Sequence, residues 1–345
     1  QFAIRKQNYN SRCGVLSGQR SISEYSVTVD GEVINDRSNA RYLIEENISD
    51  HVFFDLKKGL ETFTDRDASI RGDPCLFSIC RWACAQQGDT VEKVFEDAEF
   101  AGKRGVFIKI ANTLHSYHPQ KWKPEDAWSM VAVKMSGVIL IGWEKIYDRD
   151  EGDITTYSGY KFHQYMTTDS PNGEPDTDSP IDIRPAFNMM VRSNISVGGR
   201  TLKICCVSQT DVFRGDEPIN LKTAVEAKRN GFFRILDEVL SSELGLVKFV
   251  VTGMKNSNDS TDGYFIQKIE TRSVADLKRS LNGAEKRSYA FLFDILSLVK
   301  SVLEGEEVAC DISFVPKRGI ILITPISMEQ AKERKNGVTP EFVTR

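Results

Sequence analysis

The sequence has no apolar run long enough to span a bilayer, and no stretch has the pattern of a signal peptide. An excess of positive charge is also lacking. Lys and Arg number 45 against 49 Asp and Glu, a formal net charge of −4. That excludes a bulk, sequence-independent grip on nucleic acid and leaves room only for a local basic groove. Internal repeats and long low-complexity runs are absent. None of the seven cysteines stands in C-x-x-C spacing, which removes the usual zinc frameworks. Cys75, Cys80, Cys84, Cys205 and Cys206 read instead as reduced, buried thiols. His115 and His118 have near-ligand spacing, but no cysteine or carboxylate cluster joins them, and they read as a surface loop.

What is present is strand-like sequence mixed with helices. Residues 1–23 are polar and read as a loose, flexible arm, and residues 326–345 as a polar tail. No linker interrupts 24–325, which reads as one domain. Residues 26–33 read as strand, turn and strand around Asp30-Gly31, and 105–111 as a strand. Residues 131–135 and Val138–Trp143 read as strands joined at Ser136-Gly137. Residues 148–153 have the look of a calcium loop with the glycine one place out, and read as a solvated turn. Residues 229–244 carry Phe232, Phe233, Leu236, Val239 and Leu240 at helical spacing and run into a strand at 246–253. Residues 256–263 read as a hairpin tip, and 284–303 as the strongest helix. Hairpins interleaved with helices imply an α/β or α+β class with a mixed sheet, in which 224–252 forms a crossover unit.

One constellation carries chemistry. Asp211 followed by Glu226-Ala227-Lys228 has the acid…acid-x-Lys order of divalent-metal nucleases. In such a site two metal ions clamp the phosphate and the attacking water. Hard cations take carboxylate oxygens, and a lysine stabilises developing charge. Read as strand residues, Glu226 and Lys228 share one face. Alone, Glu-x-Lys is an ordinary solvated pair, and Glu333-Arg334-Lys335 is another instance. Strand context and the upstream Asp211 raise it above that.

The wider sequence resembles the decapping exoribonuclease (DXO-type) family over about residues 24–325. Phe54-Asp-Leu-Lys-Lys-Gly59 is similar to its F-D-L-x-x-G segment, and Arg104-Gly-Val-Phe-Ile-Lys-Ile110 to R-G-x-L-T-K-I. Trp128-Ser-Met-Val-Ala-Val133 resembles W-x-L-x-V. Gly159-Tyr-Lys-Phe-His-Gln-Tyr-Met166 is close to G-Y-K-F-E-Q-Y-M. Ser208-Gln-Thr-Asp211 stands where the family has G-E-V-D, and Val225-Glu-Ala-Lys228 where it has V-E-L-K. The resemblance implies a large mixed β-sheet assembly flanked by helices. It also implies chemistry at RNA 5′ ends: removal of incomplete caps or pyrophosphate, and in some members 5′→3′ degradation.

The departures bear on mechanism. By this likeness His163 and Gln209 replace two metal-site carboxylates. Asp211, Glu226, Lys228 and Arg104 are kept, and the family's helix glutamine falls near Ser241. Gln209 offers a metal only a neutral carbonyl, and His163 is a poor ligand for Mg²⁺. At an effective dielectric of about 20, a charge about 4 Å away is worth roughly 4 kcal/mol per unit of metal charge. Two such losses are expected to remove the second metal and weaken the first. The expectation is therefore a pseudoenzyme with no metal and no other cofactor, in which Arg104 and Lys228 contact RNA. It acts in the nucleus as a scaffold or RNA 5′-end protector. The resemblance further implies protein partners, Deadlock and through it Rhino, and a role in piRNA precursor transcription against termination and decay. One alternative is a reduced hydrolase, with one metal on Asp211 and Glu226 and His163 as base. The other is a protein-interaction platform that binds no RNA.

Overall fold

Two β-sheets carry the fold in a computed structural model that describes residues 1–63, 76–86, 90–143, 154–255 and 264–333. The larger sheet runs β1 (Phe2–Ala3), β17 (Ile320–Ile326), β16 (Val308–Val315), β7 (Trp128–Met135), β8 (Val138–Trp143), β6 (Phe100–Lys103), β11 (Arg200–Gln209), β10 (Ala186–Val197), β2 (Val15–Val27), β3 (Val33–Ile34). β6 lies parallel to both of its neighbours. The smaller sheet runs β5 (Phe54–Asp55), β15 (Phe265–Ser273), β14 (Phe249–Lys255), β13 (Glu217–Val225), β12 (Val212–Arg214), β4 (Tyr42–Leu43), β9 (Thr167–Thr168). This is the mixed α+β class expected from the sequence.

Alternation along β7 explains the layering. Met130 and Ala132 pack into a core with α3 (Arg104–Ser116), α5 (Phe232–Leu244) and α7 (Ala284–Val302). Val131 and Val133 pack on the opposite face with α1 (Phe77–Ala85) and α2 (Val91–Val94). A strand buried on both sides reads as a continuous apolar run because successive residues serve different cores. α4 (Ile154–Met166) lies on the smaller sheet, where Phe162 and Met166 meet Val212, Leu221 and Val251. β13 and β14 are parallel and joined through α5, the crossover unit read from the sequence. α6 (Val274–Ser280) follows β15, and α8 (Met328–Glu333) follows β17 with Ala331 buried.

Three expectations are corrected. Residues 105–111 are not a strand but the start of α3, in which Val106, Phe107, Ile110, Ala111 and Leu114 are buried at helical spacing. A short apolar run suits either element, and here the strand is the four residues before it. In α5, Ile235, Leu236, Val239, Leu240 and Leu244 form the buried stripe, whereas Phe232 and Phe233 lie outside it. The loose arm at 1–23 is structured. β1 pairs with β17, and β2 sits between β10 and β3. Tyr9 is buried and donates to Asp294 at 2.7 Å, and Arg12 holds both oxygens of the same carboxylate. A Cβ on Gly14 would stand 2.3 Å from the Ala290 backbone nitrogen, so the segment runs directly on α7. The calcium-like loop at 148–153, the hairpin tip at 256–263, Cys75 and the tail beyond 333 lie outside the described residues. Cys205, Cys206 and Cys310 are buried free thiols, and Cys80 is buried.

Because Tyr9 is a core residue, Tyr9→Ala is expected to cost about 3 kcal/mol, seen as a lower urea midpoint. A mobile arm would give no change.

Candidate functional site

A cleft of about 370 Å³ opens beside the ends of β6, β11 and β13. It is lined by Arg104, Thr155, Thr156, Gly159, Tyr160, His163, Gln209, Asp211, Leu221, Lys222 and Thr223. The α4 contribution follows helical geometry. Thr155, Thr156, Gly159, Tyr160 and His163 recur at one, four, five and eight positions, a single face. Tyr157, Phe162 and Met166 of the same helix are buried. A Cβ at Gly159 would meet nothing within 4 Å, so this glycine leaves the cleft floor open. Gln209 closes β11, Asp211 sits two residues on, and Arg104 opens α3 directly after β6.

The wall around Asp211 is built on a strand edge. β12 pairs with β13 only through Ile219, Pro218 and Glu217. Beyond Ile219 the outer edge of β13 needs other partners. At Leu221 they are side chains. Its N–H donates to Asp211 Oδ2 at 2.9 Å, and its carbonyl stands 3.3 Å from His163 Nε2. A carbonyl only accepts, so the imidazole proton is assigned to Nε2.

Charge completes the wall. Lys222 Nζ lies 3.7 Å from Asp211 Oδ2, and the carboxylate side chain is 12% exposed. Burial pushes the Asp211 pKa up, but Lys222, His163, Arg104 and the Leu221 amide together hold it below the usual carboxylate range. Burial pushes His163 below the ordinary histidine value, a pull that Asp211 only partly offsets. At neutral pH the pair is therefore Asp211 carboxylate with Lys222 ammonium, beside a neutral imidazole. Arg104 reaches across to α5, donating to the Ser241 carbonyl at 3.1 Å. A Cβ on Gly245 would come within 2.5 Å of Arg104 Nη1, so this glycine makes room for the guanidinium.

The structure brings together Arg104, His163, Gln209 and Asp211 and leaves out Glu226 and Lys228. β13 ends at Val225, and Glu226–Lys228 form an exposed 3-10 turn beyond it. The shared strand face expected for them does not exist. The strand residues that meet Asp211 are Leu221 and Lys222, and with Asn220 before them they give the acid-x-Lys pattern with its acid replaced by an amide. Asn220 is buried. Its Nδ2 donates to Ser242 Oγ at 3.0 Å, and its Oδ1 has no partner. Lys222 and Asn220 escaped sequence reasoning because an intact Glu-x-Lys follows six residues later. The signal that would have found them is the apolar run from Ile219 to Val225, whose alternation sets Asn220 and Lys222 on one face. Ser241 is buried in α5 and enters through its carbonyl, not its side chain.

The donor set does not fit a pair of hard divalent ions. Asp211 is the one carboxylate among the cleft-lining residues, and it is already bonded to an amide and faced by an ammonium. Among the described residues no group of three or more His, Cys, Asp or Glu is placed to hold a metal. An ammonium about 4 Å from the carboxylate supplies the charge a cation would, worth roughly 4 kcal/mol at an effective dielectric of about 20.

The pKa of His163 makes stability depend on pH. Its folded value lies below the ordinary 6.5, so the unfolded chain takes up the proton first as pH falls. Its contribution is complete above about pH 6.5 and declines below it. Asp211 is depressed below 3.8, stabilises above that value and is lost only in stronger acid. The thermal midpoint is expected to fall between pH 7 and pH 5, and His163→Gln to flatten that fall. His115, which burial pushes down to about 4, keeps its own share in the variant.

Comparison with known proteins identifies the framework. The sequence profile described as RAI1-like PD-(D/E)XK nuclease matches residues 19–343. The decapping nuclease dom-3 of Caenorhabditis elegans is 24% identical over 319 residues, covering 87% of this chain and 77% of its own length. Among solved structures, Scheffersomyces stipitis Rai1 in complex with (3′-NADP)+ and calcium ion is similar at a TM-score of 0.75 and 14% identity, over 100% of this chain and 99% of that one. Candida albicans Rai1 in complex with pU5-Mn2+ is similar at a TM-score of 0.73 and 14% identity, over 97% of each chain. With the profile spanning most of its length, this chain belongs to the RAI1-like PD-(D/E)XK nuclease family.

Proposed function

We propose that this chain is a non-catalytic member of its family that holds RNA 5′ ends rather than cutting them. The observation that carries the reading is the state of Asp211. Among the described residues it is the sole carboxylate lining the cleft, and its hydrogen bond goes to the strand edge and its charge to Lys222. His163, Gln209 and Asn220 bring no negative charge to replace it. Arg104 and Lys222 line the space with Asp211, and Asp237 of α5, whose pKa burial raises, is near enough to bear on both cations. A terminal phosphate fits that balance without a divalent ion, because charge-assisted hydrogen bonds to guanidinium and ammonium do the work of a metal. Lys222 takes the role that the sequence suggested for Lys228.

The same reading extends to context. The sequence resembles Cutoff, the fly germline member of this family. On that likeness the chain acts in the nucleus with Deadlock and Rhino, opposing termination and decay of piRNA precursors. The rival one-metal hydrolase loses support, since Glu226, its second carboxylate, stands outside the cleft.

Two measurements test the reading. Pure protein is incubated with 5′-monophosphate, 5′-triphosphate and capped RNA in Mg²⁺ or Mn²⁺. No product is expected, and turnover abolished by Asp211→Asn would overturn the proposal. Binding of 5′-phosphorylated RNA is expected to be unchanged by EDTA and weakened at least about tenfold by Gly159→Leu. That side chain enters open space and raises helix propensity, so the variant stays folded while its cleft is filled. Equal affinity in the two proteins would locate binding elsewhere.

A further inference from the structure

α5 opens with two aromatic residues that are exposed among the described residues. Phe232 and Phe233 are 42% and 57% exposed. Their rings meet edge to face at 5.3 Å, and the His115 ring lies against Phe232 at 5.7 Å. His115 is not part of a free surface loop. It ends α3, and its Nε2 stands 3.2 Å from the Ala284 carbonyl. Its lowered pKa makes it an uncharged ring at neutral pH. The three rings form one patch with Phe233 outermost.

The patch adjoins the cleft. Arg234, the next residue, donates to the Thr223 carbonyl at 3.1 Å, and Thr223 lines the cleft. At the far end of the same helix, Ser241 receives Arg104. Nine residues separate Phe232 from Ser241, about 13 Å of helix. That is the reach of about four stacked nucleotides at about 3.4 Å each. Cations lie alongside. Lys6 donates to the His115 carbonyl at 3.1 Å, Lys228 is exposed, and Arg287 is near enough to bear on His115. Glu226 and Asp237 are the exposed acids of the same region.

We propose that Phe232 and Phe233 form a stacking platform for the bases of a single-stranded RNA whose 5′ end lies in the cleft. The proposal rests on the reading of the cleft given above. Every base has an aromatic face, so such a platform is tolerant of sequence. It also adds affinity without basic surface, which suits a chain of net charge −4. Stacking of this kind depends on RNA length and resists salt, whereas phosphate contacts weaken as salt rises.

Fluorescence anisotropy of the full chain tests it, with a 5′-phosphorylated RNA of about eight nucleotides and a 5′-phosphorylated dinucleotide too short to span the gap. Phe233→Ala is expected to weaken the longer RNA by about fivefold or more, to leave the dinucleotide unchanged, and to lose the same factor at high salt. Phe233→Trp is expected to retain affinity, and its added indole emission to be quenched by the longer RNA. Unchanged affinity of Phe233→Ala for the longer RNA overturns the platform and leaves the aromatic pair to a protein contact. Equal loss for both RNAs also overturns it, because the substitution then acts through the cleft. If the unaltered chain binds both RNAs equally, the platform alone falls. If it binds neither, the cleft reading falls too.

Discussion

The open edge of β13 is the constraint around which the cleft is organised. A strand that outruns its neighbour leaves an N–H and a carbonyl to be satisfied, and a buried backbone group without a partner is costly. At Leu221 the protein answers with Asp211 for the N–H and His163 for the carbonyl. That choice binds α4 to the smaller sheet and fixes both side chains. It also places a carboxylate where it needs a cation, which Lys222 supplies. Asp211, read as a remnant of a metal site, and His163, read as the replacement of one of its carboxylates, thus both have a present structural task.

On the reading proposed above, the cleft differs in kind from a metal centre. A metal site concentrates negative charge that is tolerable only when the ions are bound. Here the charges close among themselves: one buried acid, one ammonium, a neutral imidazole and amides. The surplus is Arg104, anchored on the C-terminal turn of α5, where the helix carbonyls favour a cation. An acidic protein can in this way keep one small cationic recess without a basic surface around it.

Much of this was legible in the sequence, and the failures have physical causes. The α+β class, the crossover through α5 and the hairpin of β7 and β8 follow from periodicity and turn residues. His163, Gln209 and Asp211 were readable because each stands in a segment that resembles a family motif, residues 159–166 for the first and 208–211 for the other two. Glu226 and Lys228 misled because a short motif was trusted over strand limits. β13 stops at Val225, and no local rule says where a ladder ends. The segment at 1–23 misled because β2 lies next to the sheet edge, where polar residues face solvent and the apolar signal is thin. Phe232 and Phe233 fit a helical stripe on paper, but the packed stripe begins three residues after Phe232, at Ile235.

The pairing of β1 with β17 has a kinetic side. Phe2 lies opposite Ile321, more than three hundred residues further along the chain. The sheet also takes its middle strands from three separate stretches. Contact order of that kind slows folding, because loop-closure entropy is spent before the contacts that repay it exist. During synthesis, β1 has no strand partner until β17 has left the ribosome, and an unpaired edge invites misassembly. A fold closed by distant segments therefore makes a long-lived nascent intermediate, and a natural client for chaperones.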